Sequence, residues 1–241
     1  MQLGWADHLI FFLVGVVFPM MSLMSERVSE GEIDEDILPP KKHLFYTNGL
    51  MLWVAAMAVF TVINLSNHDF RLFGFSPFVI NDNVLIAIGI FGIIYIADLV
   101  IGLMVPSIRA KRISNLDNLK LILPINLREY SSYIFLAVSA GICEEFIYRG
   151  FLINYFLQMF GSFEWASPMA VLIPAIIFAI SHLYQGWIAV AKIFILSCLF
   201  GIIFILSKSL ILVIIIHILV DLISGWVFMM IYQSEKKKVN Q

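Results

Sequence analysis

Seven apolar stretches dominate the chain, at approximately residues 8–24, 47–65, 83–105, 131–160, 166–182, 187–206 and 209–232. Most reach the roughly 20 residues that cross a hydrocarbon core at about 1.5 Å per residue. The first and fifth are short, and the fourth is long enough to be tilted, kinked or split. None alternates apolar and polar residues as a barrel strand does. An open strand would leave backbone groups unpaired in lipid, so each stretch is expected to be helical. The expected fold is therefore an all-α, polytopic transmembrane bundle of seven to eight spans, one integral membrane domain over residues 1–241. Composition agrees: 61% of the residues are hydrophobic and 13% are charged, against about 25% charged in a soluble domain. A formal net charge of −2 with no basic stripe gives no nucleic-acid surface.

The connections set an orientation. Segment 25–46 carries Arg27, Lys41 and Lys42, and segment 106–130 carries Arg109, Lys111, Arg112, Lys120 and Arg128. The tail carries Lys236, Lys237 and Lys238, whereas 66–82 has only Arg71 and 161–165 has no basic residue. Basic residues on alternate connections place the N-terminus outside and the C-terminus in the cytoplasm. No basic residue precedes the first apolar run, so it reads as a retained helix rather than a signal peptide. An eighth element could lie within 114–128. The acidic segment SERVSEGEIDEDILPPKK reads as a solvated loop. Cys143 and Cys198 both fall in apolar stretches, which gives no disulfide framework and no cysteine-type zinc site. No internal repeat relates two halves of the chain.

Ionisable residues at membrane depth are costly and mark function by default. Here they are Asp98, Glu144, Glu145, Arg149, His182, Lys192, His217 and Asp221. In GICEEFIYRGF, Glu145 and Arg149 are i,i+4 neighbours with the acid first, the favourable order for an ion pair. Glu144 points about 100° away around the helix, so Arg149 cannot serve both carboxylates equally. A carboxyl left without a counter-charge in an apolar cavity holds a proton readily, which suits a general base near neutral pH. In FAISHLYQG, His182 ends the fifth stretch. In HILVD, His217 and Asp221 share one face of the last span. A salt-bridge cluster or a buried polar pair would explain each motif singly. It explains less well why three separate spans each bring acid or imidazole groups. Together they suffice to add water to a carbonyl: Glu144 with His182 to deprotonate the water, His217 to donate to the oxyanion. The other route is a metal-bound water. Glu144, His182 and His217 match the ligand types of catalytic zinc, assembled across helices because HExxH spacing is absent.

EEFIYR, FAISH and HILVD, in this order, resemble the EExxxR, FxxxH and HxxxN/D motifs of the CAAX-protease and bacteriocin-processing (Abi) family of intramembrane endopeptidases. The resemblance covers roughly 131–225. It implies a helical membrane fold with a polar cavity open toward the cytosol. It also implies that Glu144 is the general base, that His182 positions or activates the water, that His217 with Asp221 supports the oxyanion, and that Glu145 and Arg149 are a supporting pair. The last motif position is Asp221 where the prenyl-protein proteases of the family have Asn. An ionised carboxylate repels an oxyanion, so a proton, a pairing with His217 or a metal is implied there. The partners expected are the lipid bilayer and a membrane-associated peptide or protein. The brief loops resemble the bacterial branch, which implies an inner (plasma) membrane protein and argues against a prenylated substrate. Two other readings stay open: a proton-coupled transporter that uses the same acids as a relay, and a non-catalytic bacteriocin-immunity protein.

Depth is the difficulty. Counted from 131, Glu144 lies about 20 Å into its span, while His182 falls near a span end. A long tilted fourth span, or a fifth that stops inside the bilayer, would bring them together. Asp98 belongs to no motif and reads as a structural hydrogen-bonding group. Lys192 reads as a side chain that snorkels to the interface.

Overall fold

The computed structural model of the protein describes residues 2–21, 23, 39–108, 120 and 122–239. Its helices are α1 (Trp5–Met21), α2 (Lys41–Leu65), α3 (Asp82–Met104), α4 (Leu127–Glu145), α5 (Ile153–Phe160), α6 (Ala166–Ile180), α7 (Trp187–Ser207) and α8 (Leu210–Val239). No strand occurs among the described residues. Each of the seven apolar stretches is helical over most of its described residues. The protein is an integral membrane protein of the all-helical class, with α2, α3, α7 and α8 each long and apolar enough to cross a bilayer. Much of the acidic segment, Arg27, the basic residues Arg109, Lys111 and Arg112, and residues 114–119 and 121 of the eighth element considered at 114–128 lie outside the described residues.

The outward faces need lipid. Ile86, Ile93 and Ile96 on α3 are all more than half exposed. A continuous apolar surface of this kind is unfavourable in water and neutral against acyl chains. Local signals set the helix starts. Asn126 Oδ1 accepts from Glu129 N at 2.9 Å at the start of α4, and Asn81 Oδ1 accepts from Val84 N at 3.0 Å at the start of α3. These side chains satisfy backbone donors that have no partner within the helix. Lys41 Nζ then bonds Glu129 Oε2 at 2.7 Å and ties the beginning of α2 to that of α4.

The fourth apolar stretch is one continuous helical run from Leu127 to Phe160 rather than a split span. Between α4 and α5 it widens into a π-helical turn, Phe146–Leu152, every residue of which is buried. Such turns cost backbone hydrogen-bond geometry and recur at functional sites. The turn begins directly after Glu145 and contains Arg149. The fifth stretch is short, as its sequence suggested. At 15 residues, α6 is about 22 Å long, less than the roughly 30 Å of a hydrocarbon core. It stops at Ile180, and His182 lies in the turn that follows.

A second polar cluster ties α1 to the rest. Asp7 is fully buried and accepts from Gly4 N at 2.8 Å, and its other oxygen meets His68 Nε2 at 3.0 Å. His8 Nδ1 lies 2.7 Å from Tyr155 Oη on α5. Asp7 precedes the first apolar run and His68 lies in a connection, so neither stood out as a charge inside an apolar segment.

The approach of α4 to α8 decides the site. Gly141 on α4 lies against Ile214 and Ile218 of α8, and a methyl group on it would come within 2.5 Å of Ile218 Cγ1 and 3.2 Å of Ile218 N. Gly225 on α8 plays the reciprocal part against the Tyr133 ring of α4. These two glycines let the backbones close. Gly92 on α3, by contrast, has open space around its missing Cβ. We expect Gly141→Ala to lower the unfolding temperature in detergent, and Gly92→Ala to leave it unchanged or raise it through better helix propensity. Equal effects of the two substitutions would contradict this account of the α4–α8 contact.

Candidate active site

The polar centre is assembled from four elements: α4, the wide turn, α7 and α8. Glu145, at the end of α4, has no solvent exposure. Its Oε1 accepts from Arg149 Nη1 at 2.7 Å and from His217 Nδ1 at 2.6 Å. Its Oε2 is buried with no hydrogen-bond partner among the described residues. The carboxylate is thus held through one oxygen by two donors, one on its own helical run and one on α8.

Arg149 is almost wholly buried as well. Nη2 donates to Ser197 Oγ at 2.8 Å and to the Ser197 carbonyl at 3.3 Å, both on α7. Its guanidinium carbon lies 5.0 Å from the Phe178 ring centre and 5.2 Å from that of Phe200. Two aromatic faces and a hydroxyl replace the water that a guanidinium otherwise keeps, each cation–π contact being worth about 0.5–2 kcal/mol. The same two rings frame His217, with Phe200 stacked at 5.6 Å and Phe178 edge-on at 6.4 Å.

His217 is therefore fixed in orientation. A carboxylate accepts, so Nδ1 carries a proton and donates to Glu145. Nε2 faces the other way, 3.8 Å from Glu144 Oε2 and 3.6 Å from Asp221 Oδ2. The sequence paired His217 with Asp221. That contact exists, but the short one is to Glu145, 72 residues away. The side chains open toward Glu144 and Asp221: exposure is 0% at Glu145, 8% at His217, 15% at Glu144 and 28% at Asp221. Glu144 is the partly accessible carboxylate, and Glu145 is the one sealed against Arg149.

His182 joins the group through an aromatic ring. Its Nδ1–H donates to the Phe178 carbonyl at 2.8 Å, which leaves Nε2 as an acceptor in the neutral ring. Phe178 lies 4.5 Å from the His182 ring and also touches Arg149 and His217. The short α6 and the turn after it bring an end-of-helix histidine beside residues that lie within longer helical runs.

Sequence reasoning missed the groups that hold Asp221. The Tyr133 hydroxyl donates to the Asp221 carbonyl at 3.3 Å, Tyr130 to Leu222 O at 2.9 Å, and Tyr95 to Val220 O at 3.2 Å. Three tyrosines from α3 and α4 thus grip one turn of α8. The polar tips of Tyr95 and Tyr133 within apolar stretches, and of Tyr130 just before one, were the available signal. Lys192, read as reaching toward the interface, bonds Asp98 Oδ1 through Nζ at 2.5 Å between α7 and α3. That pair also supports the structural reading of Asp98.

Among the described residues, no group of three or more His, Cys, Asp and Glu side chains is arranged to hold a metal ion. His217 directs one nitrogen at Glu145 and His182 directs one at a backbone carbonyl. The Glu144, His182 and His217 set, the alternative considered for zinc, does not form such a group as arranged.

Fold and site together define a polytopic helical membrane protein built around a buried acid–guanidinium–imidazole centre. Residues 126–223, which contain all three motifs, match the family model described as type II CAAX prenyl endopeptidase, Rce1-like. The matched segment is similar to that family and makes up less than half of the chain. No curated protein and no solved structure matches the chain.

Removing Arg149 would strand a buried carboxylate. Arg149→Ala is expected to destabilise the fold by about 3–5 kcal/mol, and Ser197→Ala, which removes one charge-assisted hydrogen bond, by a smaller amount of about 1–3 kcal/mol. Thermal unfolding in detergent gives the ranking. A Ser197→Ala effect as large as that of Arg149→Ala would show that the guanidinium's contact with Glu145 is not the dominant one.

Proposed function

We propose that the protein is an intramembrane endopeptidase that hydrolyses a peptide bond with a water activated by Glu144. The observation that carries this reading is the division of labour within the Glu144–Glu145 pair. Glu145 is sealed against Arg149 and His217, while Glu144 is partly open and lies beside the second nitrogen of that histidine. A general base must be free to take a proton and must reach the reacting water. Glu144 meets the first condition and Glu145 does not.

In this scheme Glu144 takes a proton from a water that the His182 Nε2 lone pair helps to orient. The water oxygen attacks the peptide carbonyl carbon, and the carbonyl pair moves onto oxygen. His217, as an imidazolium with Nδ1–H on Glu145, also carries a proton on Nε2 and donates it as a hydrogen bond toward that oxyanion, with its ring flanked by Phe178 and Phe200. Glu144 then returns the proton to the departing amine. Asp221, 3.6 Å from Nε2, orients the imidazole and balances its charge, which meets the requirement that a carboxylate at this position not oppose the oxyanion. No step passes through a metal.

The substrate is read as a membrane-associated peptide or protein that enters from the lipid or the cytosolic interface, with the C-terminus of the enzyme in the cytoplasm of a bacterial plasma membrane. The brief loops favour peptide processing over removal of a prenylated tail. The three motifs, in one catalytic segment of a single membrane domain, support this reading.

The test is purified full-length protein against a library of internally quenched peptides, wild type beside Glu144→Gln. The substitution keeps the volume and removes the base, and it is expected to lower kcat roughly a hundred- to ten-thousand-fold with an unchanged unfolding temperature. Full activity in Glu144→Gln would refute the assignment. Cleavage is expected to survive a chelator, and loss on chelation with recovery on adding zinc would overturn the metal-free route. Proton flux in sealed vesicles without proteolysis would favour a transporter.

A further inference from the structure

Tyr148 lies inside EEFIYR, four residues after Glu144, and the mechanism above gives it no part. It occupies the wide turn and is buried. Its ring packs edge-on against Phe178 at 4.8 Å, the same ring that touches His182, His217 and Arg149. The Phe178 ring thus links Tyr148 to these motif side chains, and the Tyr148 hydroxyl lies toward Ser181, the residue before His182.

Packing does not explain that hydroxyl. Phenylalanine would fill the same space against Phe178, and a buried hydroxyl is unfavourable unless it is well hydrogen-bonded. The bond it has is poor. Tyr148 Oη lies 3.5 Å from Ser181 Oγ, longer than the roughly 2.5–3.0 Å of a good O–H···O bond. Ser181, the neighbour of His182, gives its own proton to the Ile177 carbonyl at 2.9 Å, so Tyr148 is the donor in this contact. A neutral donor held this loosely can turn to a better acceptor. A developing oxyanion needs such donors: the Asp221 carboxylate has no N–H to offer, and His217 is the one donor that the scheme above supplies.

We propose that Tyr148 is a further catalytic residue whose hydroxyl donates to the scissile carbonyl oxygen as it becomes an oxyanion. This rests on the endopeptidase reading above. The carbonyl carbon gains a bond to the water oxygen, the carbonyl pair moves onto oxygen, and the Tyr148 O–H bonds that oxygen while keeping its proton. When the C–N bond breaks, the carbonyl re-forms and Tyr148 returns to Ser181. Glu144 carries the transferred proton throughout, so no further reactant is required.

The experiment compares wild type, Tyr148→Phe, Ser181→Ala and Glu144→Gln as purified full-length proteins, with the quenched peptide library in detergent micelles as probe. Tyr148→Phe is expected to lower kcat about 10- to 1000-fold, the range in which a lost oxyanion donor acts, with KM within about threefold and the unfolding temperature unchanged or raised. Ser181→Ala removes the resting partner and leaves the donor, so its kcat should stay near wild type. Retention of kcat in Tyr148→Phe, with Glu144→Gln inactive, overturns the role of Tyr148 and leaves the endopeptidase reading standing. Equal losses in Tyr148→Phe and Ser181→Ala, with lowered unfolding temperatures, assign the hydroxyl to structure and also overturn the proposal. Cleavage that persists in Glu144→Gln, or a wild type that cleaves no peptide, removes the reading on which it rests.

Discussion

Glu145 is a carboxylate without access to solvent, in a segment surrounded by apolar side chains. Alone it would not stay charged there, since burial penalises an isolated ion far more than any packing could return. Arg149 and His217 make its position tenable, and the geometry of the whole centre follows from how they do so. Arg149 is one turn away along the same run and is anchored to Ser197 on α7. His217 comes from α8. One oxygen atom therefore joins the α4–α5 run directly to α8, and through Arg149 to α7. The cost of separating these charges holds the three together more firmly than apolar contact could, because lipid solvates apolar faces as well as protein does.

That constraint has a consequence for reactivity. Because Glu145 takes the short contacts, Glu144 is left on the accessible side with the second nitrogen of His217. The imidazole cannot turn: Phe178 and Phe200 flank it, and Glu145 holds Nδ1. Preorganisation of this kind is what electrostatic catalysis requires, since donors already in place need no reorganisation during the reaction. The aromatic residues do double service. They shield the Arg149 cation and fix the imidazole plane, and Phe178 also carries His182 and Tyr148 into the same neighbourhood.

Much of the site was legible before any fold was known, for a local reason. Glu145 and Arg149 are four apart on a helix, and so are His217 and Asp221, and helical geometry alone puts each pair on one face. The excess of Glu144 followed from the same periodicity. The short fifth stretch was visible as well, and it turned out to explain how His182 meets the longer helices. Contacts between elements were not legible in this way. Nothing local to HILVD says that His217 prefers Glu145 to Asp221, or that Tyr95, Tyr130 and Tyr133 hold the carbonyls around Asp221. The pairing of Lys192 with Asp98 was not legible either, because the two lie on different helices.

The sequence by itself determined the solvent and the class of fold. Runs of about 20 apolar residues admit helices in a bilayer and little else, because each helix satisfies its own backbone. It also determined the chemical inventory and the motif segment. The tertiary structure decided which carboxylate is sealed and which is open. That depends on the closeness of α4 and α8 at Gly141 and Gly225, on a wide turn that begins at Phe146, and on where α6 stops. These are properties of how helices meet, and no repeat along one strand of sequence encodes the distance between two of them.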